Sequence, residues 1–523
     1  MMESPRSRRS VPGNLKPMTS APNQNEPHLG KAVARGAGAM LAISLLTKAL
    51  GFGGQLVLAA LLVPDDFGLV ALAIGLIDTC GIVQKLGLRE MITHRQRRLT
   101  RWISPALWIA GAGGLLSASL LVGLSFLAPT IFDADSSLTL LIIVGAIGNA
   151  QLGVIETLES ALAARLRFGP IARIRVGEVI LRTGLAVLFA ASGFGAMSLI
   201  LPRPIVMFLH ATALWITVRP RVSRTPQLRR WRLMIADSSK VFFSHTAQVL
   251  IRQGDRLLLG LFVGEALLGA YFFAFGLSTQ GVILLVQSLT GVLAAGLSKL
   301  QDNPSRQRRA FLDAIGVIAL VSVPLLAIQS ASSEALLQLL YKERWAEAIA
   351  PLQILSIGAA ISAIGWNNNA MFVARGKFRE QLIMSWIGAA GFLSVITTCA
   401  WFGSPIAVAW GVVGFRAVYV PISLTIAAGG GGKTLMCALG AALGPGLVAA
   451  ISILPAWWLG HTVGASGEPL ALSAEIAIIV SLGSALYWLL ARLLLRDTYA
   501  RFGARVRTML PGRVASRVPS WAL

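Results

Sequence analysis

Residues 55–76 read QLVLAALLVPDDFGLVALAIGL. Apolar sequence flanks a Pro-Asp-Asp turn on both sides, and the only charges are the two carboxylates of the turn. The stretch reads as the end of one membrane-spanning helix, a tight acidic turn and the next spanning helix. The arrangement returns at residues 255–277, DRLLLGLFVGEALLGAYFFAFGL, with an apolar helix end, a short acidic turn, a glycine and an apolar helix closing on Gly-Leu. Val63 and Val263 lie 200 positions apart, and Gly75-Leu76 and Gly276-Leu277 lie 201 apart, a one-residue slip within the turn.

Apolar runs of about twenty residues, the length that crosses the hydrocarbon core as a helix, recur along all 523 residues. The chain is 55% hydrophobic and 13% charged, with mean hydropathy +0.70. A soluble domain carries about 25% charged residues. Lipid cannot satisfy backbone N–H and C=O groups, so spanning segments are helices or closed barrels. These runs are too long and too evenly apolar for barrel strands. Fourteen spans fit, near 37–63, 67–85, 102–128, 138–163, 176–194, 196–218, 238–263, 267–297, 310–331, 350–373, 381–402, 405–428, 434–460 and 471–491. The weak points are the split at Gly193-Phe194-Gly195 and the prolines Pro202 and Pro204.

Positive loops stay cytoplasmic. With the N-terminus inside, 37 of the 46 Lys and Arg residues fall on the cytoplasmic side, and only Lys342 and Arg344 fall outside. Both termini are therefore expected in the cytoplasm. This segregation accounts for the net charge of +23. The basic stretches 94–101 and 219–232 and the tail after Arg492 are orientation signals that also attract anionic headgroups, and no nucleic-acid partner is expected. Cys80, Cys399 and Cys437 lie in apolar runs without metal-ligand spacing. The polar first 35 residues contain no apolar signal-peptide core.

Six spans separate the two copies of the repeated hairpin, so both copies face the same way. This implies two six-helix lobes related by pseudo-two-fold symmetry about the membrane normal. The expected organisation is an all-α polytopic membrane protein: a cytoplasmic tail (1–35), an N-terminal lobe (36–218), a basic linker (219–237), a C-terminal lobe (238–428), two additional helices (429–491) and a basic tail (492–523). GGGGKT at 429–434 lacks phosphate-loop spacing, and no strand precedes it, so it reads as an inside loop. No paired-carboxylate or metal motif is present, and no cofactor is implied. A transporter rather than an enzyme is expected.

Three segments resemble a known family. LLVPDDFGLVALAIGLIDTCGIVQKLGL (61–88) is similar to the signature following the first helix of polysaccharide exporters, and residues 255–277 to the signature opening their second half. ERWAEAIAPLQILSIGAAI (343–361) with NNAMFVARGKFR (368–379) resembles their stretch around helix 10. The family is that of the Wzx-type polysaccharide-repeat-unit flippases. Its superfamily also holds multidrug extruders and lipid II flippases. The resemblance implies two V-shaped lobes around a central cavity and an undecaprenyl-pyrophosphate-linked oligosaccharide as cargo, for exopolysaccharide, capsule or lipopolysaccharide synthesis. It also implies a polysaccharide polymerase and a chain-length regulator as partners. TKALGFGGQ (47–55) resembles helix 1 of the lipid II branch, but Gly54-Gln55 stands where that branch has Arg-Asp, which argues against a peptidoglycan precursor. The alternatives are a drug or organic-cation extruder, which would need an acidic cavity, and a non-transporting component of an export complex.

A charge at bilayer depth faces a cavity or a partner. Lys48 lies about ten residues into span 1, roughly 15 Å deep at the helical rise. Arg252 is at similar depth in span 7, with Arg256 one turn beyond. These three cations are the candidate pyrophosphate ligands. The competing reading pairs Arg256 with Asp255 and Lys48 with Asp78. Arg416, deep in span 12, has no obvious partner and is a further candidate. Asn368, within Asn367-Asn368-Asn369, either contacts sugar hydroxyls or ties helices together. Asp78 and Glu156 are weak candidates for coupling to a proton or sodium ion. Glu178 and Arg182 are expected to form an i,i+4 ion pair, Lys240 to snorkel, Arg203 to mark a kink, and His210 and His245 to be packing residues.

Overall fold

The computed structural model describes residues 46–84, 88, 92, 99–165, 167–223 and 225–509. The tail 1–35 and most of the 94–101 stretch lie outside them, and so does the Lys240 side chain. Among the described residues the structure is helical without strands. Fourteen long helices follow in order. They are α1 Leu46–Leu61, α2 Pro64–Cys80, α3 Leu99–Ser125, α4 in two pieces (Ser137–Asn149 and Leu152–Ala164), α5 Phe168–Ala191, α6 Met197–Val218, α7 Leu228–Leu259, α8 Glu265–Ser298, α9 Pro304–Tyr341, α10 Ala346–Gly365, α11 Phe378–Ala400, α12 Pro405–Ala427, α13 Gly432–Gly464 and α14 Pro469–Leu494. A short helix, Asn368–Ala374, continues α10, and α15, Arg496–Met509, follows α14.

Turn chemistry sets the boundaries. At α2, Pro64 takes the first turn, where its missing N–H costs nothing. The Val63 N–H donates to the Asp66 carboxylate at 3.2 Å, and Asp65 and Asp66 sit at the positive end of the helix. Gly193 and Gly195 adopt φ of 82° and 52°, and this is the split between α5 and α6 that the sequence marks. Gly429, Gly430 and Gly431 all have positive φ. The glycine-rich run is thus a reversal between α12 and α13, a conformation that favours residues without a Cβ.

The two hairpins meet at one end of the molecule. A Cβ on Gly68 of α2 would lie 2.0 Å from the Glu265 carbonyl oxygen, and one on Gly269 of α8 would lie 1.8 Å from that of Pro64. Pro64 and Glu265 therefore occupy equivalent turns on the same side. Farther along the same helices, Gly75 meets Leu257 of α7 and Gly276 meets Gln55 of α1, a second reciprocal pair.

The apolar core follows this symmetry. One cluster, including Leu62, Phe67, Phe273, Trp345 and Leu352, draws on both halves at the end bearing the turns. Elsewhere the halves have separate cores. Leu107, Ile155 and Leu214 belong to the N-terminal one, and Phe311, Phe372 and Leu424 to the C-terminal one, which also takes in Tyr487 of α14. Lobes that share a core at one end and are cored separately elsewhere form a V, which leaves a gap between them.

Candidate functional site

A cavity of about 400 Å³ lies in that gap. Gly51, Gly54 and Gln55 of α1 form one wall, and Arg182 and Thr183 of α5 and Arg256 of α7 contribute charge and polarity. Gly54 is needed because a Cβ there would meet the Thr183 methyl at 2.2 Å. Gln280 of α8 reaches across to the Gln55 side chain, its Nε2 donating to Gln55 Oε1 at 3.5 Å. The residues that line the cavity include two arginines and no Asp or Glu.

Arg256 is oriented by its neighbours and forms no direct ion pair among the described residues, although the charge of Asp255 acts on it. Asp255 is 1% exposed and turns away from the cavity, accepting from the Tyr271 hydroxyl at 2.9 Å and from the Arg256 backbone N–H at 2.9 Å. The Arg256 guanidinium stacks over Phe272 and Phe275, 4.8 Å from each centroid, and donates one N–H to Gln253 Oε1 at 3.1 Å. Its buried Nε–H has no partner. A guanidinium fixed between two rings with donors unspent is a ready anion ligand.

Arg182 is the residue that sequence reasoning assigned elsewhere. Its expected partner Glu178 instead points to His210 of α6, with 3.2 Å between Glu178 Oε2 and His210 Nδ1. His210 is 5% exposed and also lies 3.6 Å from Glu159 of α4, which is held by both Arg175 N–H groups at 2.6 and 2.8 Å. Buried Glu159 and His210, half-buried Glu178 and exposed Arg175 thus form a polar cluster, and Arg182 is left facing the cavity. The i,i+4 spacing was a weaker guide than a histidine on the adjacent helix.

The other candidates are dispersed. Asp78 accepts from Gln253 at 2.9 Å and pairs with Arg203 at 3.4 Å, so it links the lobes. Arg252 is exposed, and Asp78 is the carboxylate that acts on it. Lys48 lies one turn along α1 from Gly51 and does not itself line the cavity. Arg416 lies over Phe275 at 5.8 Å, within reach of the charge of Asp255. Asn368 is 6% exposed and donates to Ser423 of α12 at 2.8 Å, tying α10 to α12 away from the cavity. Glu156 is half-buried on α4, beside the polar cluster. Among the described residues no group of acids, cysteines or histidines suits a metal ion.

The sequence profile of the polysaccharide biosynthesis protein family matches residues 57–350, more than half the chain. This chain belongs to that family. Its relatives include the succinoglycan biosynthesis transport protein ExoT of Rhizobium meliloti (strain 1021), 23% identical over 322 residues, covering 61% of this chain and 65% of ExoT. The teichuronic acid biosynthesis protein TuaB of Bacillus subtilis (strain 168) is 24% identical, covering 63% and 68%. The lipopolysaccharide biosynthesis protein WzxC of Escherichia coli (strain K12) is 22% identical, covering 63% and 67%. The match thus spans about two thirds of the length of these family members. In fold, the chain resembles the lipid II flippase MurJ in an inward closed conformation, with TM-score 0.69 at 12% identity over 88% of this chain and 99% of MurJ. It also resembles the Vibrio cholerae MATE transporter VcmN in its bent form, with TM-score 0.54 at 15% identity over 79% and 99%. These likenesses show that the chain shares their fold.

Proposed function

We propose that the chain moves a phosphate-bearing, lipid-linked oligosaccharide across the bacterial inner membrane by alternating access of its two lobes. One observation carries this reading: the interlobe cavity is lined by Arg182 of one lobe and Arg256 of the other, with no carboxylate among its lining residues. Two like charges in a low-dielectric gap repel. Water or an anion must separate them, and a pyrophosphate linking lipid and sugar would make the arrangement favourable. The names of the relatives, drawn from succinoglycan, teichuronic acid and lipopolysaccharide synthesis, support a glycan cargo. The undecaprenyl carrier and the Lys48 and Arg252 contributions belong to the same proposal, with those two residues guiding the headgroup toward the cavity. An extruder of organic cations would place a carboxylate where Arg182 and Arg256 stand.

The test is deletion of the gene followed by analysis of lipid-linked glycans and exported polysaccharide. The proposal expects lipid-linked repeat units to accumulate on the cytoplasmic leaflet while polymer export falls. Unchanged export with increased sensitivity to cationic drugs would instead support the extruder.

A further inference from the structure

A second basic cleft, sharing no lining residue with the interlobe cavity, is built where α15 folds back on the bundle. It encloses about 510 Å³. Ser305, Arg308 and Arg309 of the first two turns of α9 form one wall, Cys437 and Gly440 of α13 another, and Thr498 and Arg501 of α15 the third. The Thr498 methyl approaches Gly316 closely, lying 3.5 Å from where its Cβ would stand.

The charge is unbalanced. Among the described residues Asp313 is the only acid lining the cleft, and Arg501 takes it in an ion pair. Arg308 and Arg309 form no ion pair among the described residues, and the buried Arg308 Nε–H has no partner. Arg308 also converges with Arg375 over Gly429, where a Cβ would lie 3.2 Å from one guanidinium and 2.8 Å from the other. Arg375 spends its donors on Gln307 Oε1 at 3.2 Å and the Ala427 carbonyl at 3.0 Å. Burial, and then the charge of Arg308, push Arg375 below the usual arginine range. The start of α9 adds its positive helix end.

The cleft also lies at a membrane boundary. Only Leu495 separates α14 from α15, and Tyr499 and Phe502 of α15 pack on Trp488 of α14, at 6.1 and 5.5 Å. An anchored helix at the end of a spanning helix puts the arginines at headgroup level. Basic pockets between helices on the cytoplasmic side suit anionic lipid headgroups, and guanidinium groups grip phosphate in a bidentate manner.

We propose that the cleft between α9, α13 and α15 binds the phosphate group of an anionic phospholipid, with Arg308 and Arg309 as its ligands. A cardiolipin-type headgroup, with two phosphates, would engage both arginines and stand near the Arg308–Arg375 pair, relieving their repulsion. Arg501 keeps α15 in place through Asp313 rather than holding the ligand alone.

Cys437 supplies the readout, since it is exposed and lines the cleft, whereas Cys80 and Cys399 are half-buried. The rate at which a charged maleimide modifies Cys437 in the detergent-purified full chain should fall several-fold with cardiolipin. It should fall less with phosphatidylglycerol and not at all with phosphatidylethanolamine. The double substitution Arg308→Gln and Arg309→Gln should abolish the protection, while Arg219→Gln with Arg221→Gln, on the linker, should leave it intact. Equal protection by inorganic phosphate at matched phosphorus would keep the phosphate site and assign it to a soluble ligand. Protection by the neutral lipid, protection surviving in the double variant, or no protection by any phosphate compound would overturn the proposal. Polysaccharide export is not part of the readout, so the result is independent of the cargo.

Discussion

Arg256 is the side chain on which transport is expected to turn, because its neighbours fix it without a direct ion pair to a carboxylate. Asp255, the nearest carboxylate in sequence, is committed to Tyr271, and the rings of Phe272 and Phe275 hold the guanidinium plane. Arg256→Glu should therefore abolish polysaccharide export at normal protein level, and Arg256→Lys should retain part of it, since the point charge survives and the fork is lost. Arg182→Glu should have the same effect from the opposite wall. Full export by both Glu variants would remove the cationic-cavity mechanism while leaving the fold untouched. Arg252→Glu should be milder, because Arg252 is exposed outside the lining, beside Asp78. The polar cluster behaves differently. His210→Ala leaves Glu178 without the imidazole it faces, and breaking a buried charged contact costs about 3 kcal/mol. The expected signature is a lower apparent Tm in detergent with export per folded molecule preserved, and loss of export without loss of stability would instead implicate the cluster in coupling. The sequence made Arg256 legible, because an arginine one turn from Arg252 at bilayer depth demands a cavity or a partner. Arg182 was hidden because the decisive partner of Glu178 comes from another helix, and local spacing carries no information about that neighbour.

At the scale of the helix, the crossing of α2 and α8 is the feature most constrained by backbone. Gly68 and Gly269 each face the other helix's first-turn carbonyl, closer than any Cβ could approach. The aromatic group Phe67, Phe273 and Trp345 packs around the crossing, with centroid separations of 4.3–5.8 Å. The contact is extended by the C-terminal half donating to the exposed carbonyls of α1: Tyr341 to Leu56 at 3.0 Å, Trp345 to Ala59 at 2.9 Å and Arg344 to Ala60 at 2.6 Å. This end of the gap is sealed, so a lobe movement that opens it must break the glycine contact. Gly269→Leu should hold the seam apart. A cysteine replacing Gln55 in the cavity should then react faster with an impermeant thiol reagent applied from outside. An unchanged rate in a variant that still inserts would show that the crossing is not the seal. The glycines of this crossing were legible as a repeat before their purpose was, because the 201-residue offset between Gly68 and Gly269 marks equivalence but not contact. That the equivalent helices pack on one another through these two positions follows only from the symmetry axis passing between them, which is a property of the assembled bundle.

For the whole molecule, the charge distribution predicts which end faces the cytoplasm. The sealed Pro64 and Glu265 turns lie at one end, and α15 with the Arg308 cleft at the end where the two lobes are cored separately. In the fourteen-span threading, Lys342 and Arg344 are the two basic residues assigned outside. Arg344 is engaged with the α1 carbonyl at the sealed end, so its position follows from packing and not from a loop charge bias. The separately cored end carries Arg219 and Arg221 of the basic linker, Arg306, Arg308 and Arg309, and Arg496 and Arg501 of α15. Because positive segments are retained in the cytoplasm, the gap would face the compartment in which lipid-linked precursors are assembled, and the sealed turns would face the periplasm. Reporter fusions after Arg229, Arg308 and the C-terminus should therefore read cytoplasmic, and fusions after Asp133, Gly264 and Arg344 periplasmic. The last three bear directly on the lobe arrangement. Asp133 and Gly264 lie in turns that touch, since the Asp135 N–H donates to the Glu265 carboxylate at 2.7 Å, so the two fusions must agree with each other whatever the orientation. A periplasmic C-terminus with those two also periplasmic would break the fourteen-span threading, and with those two cytoplasmic would invert the molecule. Disagreement between them would break the packing of the two lobes itself.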